Sequence, residues 1–152
     1  RVTATVEEGS GRSLTFDKIV DRNVKNPYDI EHIWANDFAA VDHLFTDTED
    51  FQTWRNHIAS LVLLPADVNR SLKDKSYTYK RSHYAKQNFY AASMDDSIYI
   101  HQPKFKQFTQ SHQLPFQSYA VFTKKEQLAR QQLVAALVDS IWSPDRLQEA
   151  TQ

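Results

Sequence analysis

Glu31 and His32 stand side by side in the segment YDIEHIW, and Asn69 lies four positions beyond Pro65, where the apolar run SLVLLP stops. Together these side chains hold the parts needed to hydrolyse a phosphodiester with a divalent cation. A hard cation takes oxygen ligands, which the Glu31 carboxylate and the Asn69 side-chain carbonyl can supply. An imidazole that titrates near neutrality is suited to taking the proton of a water that attacks phosphorus. The cation would stabilise charge on the phosphate oxygens and help the 3′ oxygen depart. Taken singly, each signal is weak: a Glu-His pair is ordinarily a surface or packed pair, and a lone Asn ordinarily caps a helix or sits in a turn. Their order along the chain and their setting give them weight.

Two strands and a helix must bring the three together. In Tyr28 to Trp34, alternation puts Tyr28, Ile30, His32 and Trp34 on one side and Asp29, Glu31 and Ile33 on the other, as in a short strand with a mixed face. The run at 60–65 is the strongest strand signal and ends at Pro65. If these strands pair as a long-looped hairpin and ADVNRSLKDKS turns back across them as a helical turn or two, Glu31, His32 and Asn69 converge. Further along, Tyr77, Lys80, Arg81, Tyr84 and Asn88 recur at spacings of three and four, which predicts a helix with Tyr77 and Tyr84 toward the core. The segment LTFDKIV at 14–20 reads as a strand or a short helical turn. Asn36 to Phe45 can form a short helix, and a second begins near Phe51. Residues 95–118, broken by Pro103 and Pro115, read as loop with a short helix. Phe122 to Trp142 is the clearest helix, with a Thr123/Glu126 capping box and a stripe of Leu128, Ala129, Leu133, Val134, Leu137 and Ile141. Pro144 biases Ser143 out of the helical region and ends it. Arg130 and Trp142 brace this helix, the Arg through a carboxylate and the Trp by aromatic packing.

A chain of 152 residues supports one domain with a hydrophobic core. Cysteine is absent, which excludes disulfides, thiolate zinc sites and a cysteine nucleophile. No apolar run is long enough for a membrane span and no signal-peptide pattern is present, so a cytoplasmic protein without a membrane partner is expected. The polar opening RVTATVEEGSGR reads as a leader, and residues 1–27 as an entry segment that could be the end of a linker from a longer polypeptide. Residues 28–147 would then be the functional domain and 148–152 a tail. The net charge of −1 is poor for an unaided nucleic-acid binder. Locally, however, Arg70, Lys73, Lys75, Lys80, Arg81 and Lys86 face only Asp74, while Glu31 to Asp50 carries no Lys or Arg. Such a cluster is ordinarily a solvated face; its place just after the Asn69 motif favours phosphate contacts. His43, His83, His101 and His112 have no metal-ligand spacing, although His83 lies near enough to the basic helix to meet phosphate.

Three ordered blocks carry a family resemblance: YDIEHIWAN at 28–36, RNHIASLVLLPADVNRSLKDKSYTYK at 55–80 and VFTKKEQLARQQLVAALVDSIWSPDRL at 121–147. They resemble the HNH-type (ββα-metal) nuclease domain at the carboxyl end of GmrSD-like modification-dependent restriction proteins. The resemblance implies an α+β, mostly helical domain around a hairpin-plus-helix core. It also implies a metal-dependent DNA endonuclease of a restriction or phage-defence protein, using one divalent cation, Mg²⁺ with Mn²⁺ or Ni²⁺ as substitutes. His32 matches the general base, Glu31 and Asn69 the metal ligands, and Lys80 a lysine that could touch phosphate. Arg70, Lys73, Arg81 and His83 would bind double-stranded, modified DNA with it. His57 falls where the family has a histidine or arginine and is expected to support the site. Ser60 replaces a frequent asparagine, and Asn56 is the nearby candidate to serve instead. The family usually joins this domain to an amino-terminal NTP-hydrolysing sensor domain. Two other readings stay open, a non-cutting nucleic-acid-binding module and an interaction domain using the aromatic-rich region from Phe89 to Phe122.

Overall fold

The computed structural model describes residues 1–143; the expectations for Pro144, for 144–147 as the end of the functional domain and for the 148–152 tail lie outside them. At its centre is a two-stranded antiparallel sheet, β1 (Tyr28–His32) and β2 (Leu61–Pro65), with Glu31 opposite Val62 and His32 opposite Leu61. Val62 and Leu64 turn inward and are buried, each stabilising the fold by about 1.5–3 kcal/mol. The ladder is extended at both ends, by Ile33 N–H donating to Ser60 O at 2.9 Å and Ala66 N–H donating to Pro27 O at 2.8 Å.

Helix α4 (Ala66–Leu72) starts directly after β2. Asn26, in the loop before β1, donates from Nδ2 to Asp67 Oδ1 at 2.8 Å and accepts from Asp67 N–H at 3.1 Å. This pair satisfies an orphan donor of the helix start and ties α4 to the entry of β1. The remaining helices are α1 (Val2–Gly9), α2 (Phe16–Val20), α3 (Thr48–Asn56), α5 (Tyr77–Tyr84), α6 (Phe89–Ala92), α7 (Ser97–His101), α8 (Pro103–Ser111) and α9 (Lys124–Trp142), with short 3₁₀ turns at Phe38–Ala40, Asp42–Leu44 and Ile58–Ser60. The result is a mostly helical α+β domain with a hairpin flanked by helices. No helix among the described residues is long and apolar enough to cross a membrane.

Several sequence expectations change. The opening segment joins the core: α1 buries Ala4 and Val6, and its Glu7 carboxylate accepts the Phe89 N–H at the start of α6. A buried acid paired to a helix start lets a polar-looking segment join a core. The strand ends at His32, so the expected alternation stops there, and Ile33 and Trp34 both go inside. Trp34 meets Phe122 and Phe45 edge-on at centroid distances of 4.9 and 5.3 Å and donates from Nε1 to Phe122 O at 3.2 Å. The 95–118 region is more helical than expected, because Pro103 begins α8, where its missing N–H costs nothing. Phe89, Tyr90, Phe105, Phe108, Tyr119 and Phe122 are buried in the core, so these aromatics supply packing, while Ile100 and Val121 of the same region are exposed.

In α9 the inward face carries Gln127, Arg130, Leu133, Val134 and Leu137, while Leu128 is exposed. Arg130 finds no carboxylate among the described residues. Its Nε donates to Ala59 O at 2.9 Å and its guanidinium lies 4.7 Å from the Tyr90 ring centroid. The helix opens with the expected capping box, Thr123 N–H donating to Glu126 Oε2 at 2.9 Å. Thr123→Ala should lower unfolding free energy by about 1 kcal/mol, measured by urea titration; an unchanged midpoint would show the cap is not needed.

Candidate active site around His32

Inward Glu31 forces outward His32, since neighbours on a strand point to opposite faces. The Glu31 side chain is 3% exposed and that of Lys80 1%, and their Oε1 and Nζ atoms are 2.6 Å apart. Lys80 also donates to His32 O at 2.8 Å, and Tyr84 OH donates to Glu31 Oε1 at 3.1 Å. Lys80 and Tyr84 are four apart on α5 and therefore share a face. Burial lowers the Lys80 pKa, opposed by the hydrogen bond and charge of Glu31; burial and then the Glu31 charge raise that of Tyr84. The lysine expected at phosphate is thus an interior counter-ion, and the acid expected at the metal has Oε1 committed to two interior donors. A helix-spaced basic cluster shows charge density but not which cations turn inward.

The His32 ring is half-buried at the end of β1. Its Nε2 lies 3.0 Å from Asn56 Oδ1. Asn56 Nδ2 donates to Gln52 Oε1 at 3.4 Å, one turn back on α3, and Gln52 Nε2 donates to Asn36 Oδ1 at 3.0 Å. With Asn56 oriented in this series so that its oxygen faces the ring, the matching tautomer carries the hydrogen on Nε2 and keeps a lone pair on Nδ1. Nδ1 has no hydrogen-bond partner among the described residues. The His32 pKa is lowered from the ordinary histidine value, first by burial, then by the Arg55 charge, with the Asn56 bond opposing and Lys80 adding a little.

The turn that follows Asn56 is itself held. Ser60 Oγ donates to Trp54 O at 2.8 Å, and Ala59 N–H donates to His57 Nδ1 at 3.1 Å. His57 therefore serves its own loop, exposed and bonded to the backbone two residues on, and Ser60 is buried as a brace. Arg55 was missed by sequence reading. Its Nε donates to Trp34 O at 3.2 Å, which places a guanidinium beside the exit of β1; its place next to Asn56 in RNH, at the end of a helix, was the signal available.

Asn69, on α4, donates from Nδ2 to Ile30 O at 3.1 Å. That bond sets the side chain against β1 two residues before His32, and Asn69 Oδ1 has no partner among the described residues. No cluster of three His, Cys, Asp or Glu able to hold a metal ion occurs among them. A cation such as Mg²⁺ is held through one or two carboxylates together with water and substrate phosphate; toward such a site Asn69 offers one neutral amide oxygen, beside β1 and two residues before His32. Glu31 fits less well, because a cation there would meet the Lys80 ammonium. Among the other expected phosphate contacts, Arg70 and Lys73 are exposed. Arg81 pairs with Asp95 at 3.2 Å and bonds Tyr119 O at 3.2 Å, and His83 stacks on Tyr79 with its Nδ1 3.0 Å from Tyr79 O.

In comparisons with known proteins, residues 5–137 match the family model of the C-terminal domain of GmrSD restriction endonucleases. No curated protein and no solved structure matches the chain.

Lys80→Met should destabilise the fold by about 3–5 kcal/mol, since it leaves the Glu31 charge buried without its counter-ion. The Glu31→Gln/Lys80→Met double variant should recover most of that loss in denaturant titration. A double variant no more stable than Lys80→Met would show that the two side chains act independently.

Proposed function

The chain belongs to the family of GmrSD restriction endonuclease C-terminal domains, and from that membership we propose that it is a metal-dependent DNA endonuclease domain, with the ββα-metal core formed by β1, β2 and α4 and with His32 as general base. The observation that carries this reading is the 3.0 Å contact between His32 Nε2 and Asn56 Oδ1, with Asn56 held by Gln52 and Asn36. A ring locked in this tautomer presents a lone pair at Nδ1, and its depressed pKa keeps that lone pair free at neutral pH.

Nδ1 takes a proton from a water whose oxygen attacks phosphorus, and the bond from phosphorus to the 3′ oxygen breaks. Positive charge that builds on the ring is met by the Asn56 carbonyl dipole across Nε2–H. The carbonyl of His32, bound by Lys80, keeps the strand end from moving as this occurs. A divalent cation, Mg²⁺ with Mn²⁺ or Ni²⁺ as substitutes, held by Asn69 with phosphate oxygens and water, would supply charge neutralisation at the phosphate and at the departing oxygen. Glu31, expected as a second ligand, is given the task of holding Lys80. Arg70 and Lys73, exposed on and just after α4, extend the contact to flanking phosphates. The substrate in this reading is double-stranded DNA, and its modification is the further expectation that the sequence resemblance carries. The near-zero net charge favours help with binding from an amino-terminal NTP-hydrolysing sensor domain of the same polypeptide.

The direct test is nicking of modified and unmodified plasmid DNA with Mg²⁺ or Mn²⁺. His32→Ala should retain its fold and lose about 10²–10⁴ in rate, and Asn69→Ala should raise the Mg²⁺ concentration required. Cutting by the His32 variant at the parent rate would remove the base assignment; no cutting by the parent on any DNA would leave a binding module instead. Because the base must be unprotonated, the rate should climb from acid pH and level off with its midpoint below 6.5, the unperturbed histidine value. A midpoint above that value would mean that burial and Arg55 do not govern the ring.

A further inference from the structure

Two consecutive residues at the end of α3 grip the exit of β1. Asn56 holds the His32 ring, and Arg55 Nε holds the carbonyl of Trp34, two residues further on, at 3.2 Å. Arg55 forms no ion pair within 4.0 Å among the described residues, and its Nη1 and Nη2 have no hydrogen-bond partner there. The one acid nearby is Glu31, whose charge Arg55 feels, but Glu31 is already paired with Lys80 at 2.6 Å. Two cations therefore face a single buried carboxylate, with exposed Asp74 acting on Lys80 as well, and one positive charge, that of Arg55, has no paired acid among the described residues. Lys80 is 1% exposed and cannot present its charge to a ligand. Arg55 is only half-buried and can.

We propose that Arg55 is the phosphate-binding residue of this site, its free Nη groups receiving a non-bridging oxygen of the phosphodiester that His32 acts upon. The assignment rests on the endonuclease reading for its substrate and on geometry for its place. A guanidinium anchored through Nε is pre-organised, so little side-chain freedom is lost when the two Nη groups meet an anion. It takes the role that the sequence gave to Lys80. Its position beside the imidazole favours a neutral ring before substrate arrives, and a bound phosphate would offset that influence as the ring accepts its proton.

The test uses the whole chain and two readouts. Inorganic phosphate, added without metal, should shift the Arg55 Nε–H resonance and the His32 ring resonances of the parent protein in NMR titration. Arg55→Met should lose the His32 response, and Arg55→Lys, which keeps the charge but not the fork, should retain a weaker one. In plasmid nicking, Arg55→Met should lower kcat by about 100-fold, with Arg55→Lys between it and the parent. Phosphate shifts absent from the parent, or undiminished in Arg55→Met, overturn the assignment even if nicking is lost, because that loss would then trace to a displaced Asn56. Phosphate shifts that depend on Arg55 in a parent that cuts no DNA would sustain the anion site and remove the hydrolytic reading.

Discussion

A buried ion pair governs this domain. Glu31 sits on a two-stranded sheet with Val62 opposite it, in an interior where a lone carboxylate is strongly disfavoured. Lys80 answers it from α5, and the same ammonium takes the carbonyl of His32 while Tyr84, one turn on, takes the same carboxylate oxygen. Sliding β1 by one residue would turn Glu31 to solvent and His32 to the core, leaving Lys80 buried alone. The pair thus fixes strand register, the docking of α5 and the outward aim of the imidazole in one arrangement.

Around that register the site is assembled from elements far apart in sequence. The end of α3 carries Asn56 to the ring, and in the turn that follows, Ser60, itself buried, bonds back to Trp54. Arg130 of α9 reaches across to the carbonyl of Ala59, so the longest helix also helps hold this turn. α4 crosses β1 and is pinned by Asn26 at its start and by Asn69 at the Ile30 carbonyl. Side chains whose rotamers are fixed by neighbours in this way lose little entropy on meeting substrate. The apolar core of Trp34, Phe45, Phe51 and Phe122 lies directly beneath and gives these polar bonds a rigid base.

Much of this was legible because local chemistry and global fold agree. Alternation in YDIEH, the apolar run before Pro65 and the Thr123/Glu126 cap each report their own element. Orientation was less accessible. A strand with one mixed face does not declare that Glu31 is the inward residue, since that depends on a partner almost fifty positions away on α5. For the same reason Lys80 read as a surface cation, Arg81 was not seen to pair with Asp95, and Arg55 drew no notice at all. The burial of α1 was hidden because Glu7, polar by type, is satisfied by a backbone donor on another helix. Ser60 in place of a frequent asparagine was a departure whose effect could not be read locally; Asn56 lies on the ring, while Ser60 braces the turn.

The proposed hydrolysis depends on the state of one ring. Long-range ¹H–¹⁵N correlation of selectively labelled histidine, at neutral pH and without substrate, reads tautomer and charge directly. The expected spectrum is that of a neutral His32 with its hydrogen on Nε2, shared with Asn56, and a bare Nδ1. A hydrogen on Nδ1, or a charged ring at neutral pH, would contradict the proposed hydrolysis, because no lone pair would then be poised to take a proton from water.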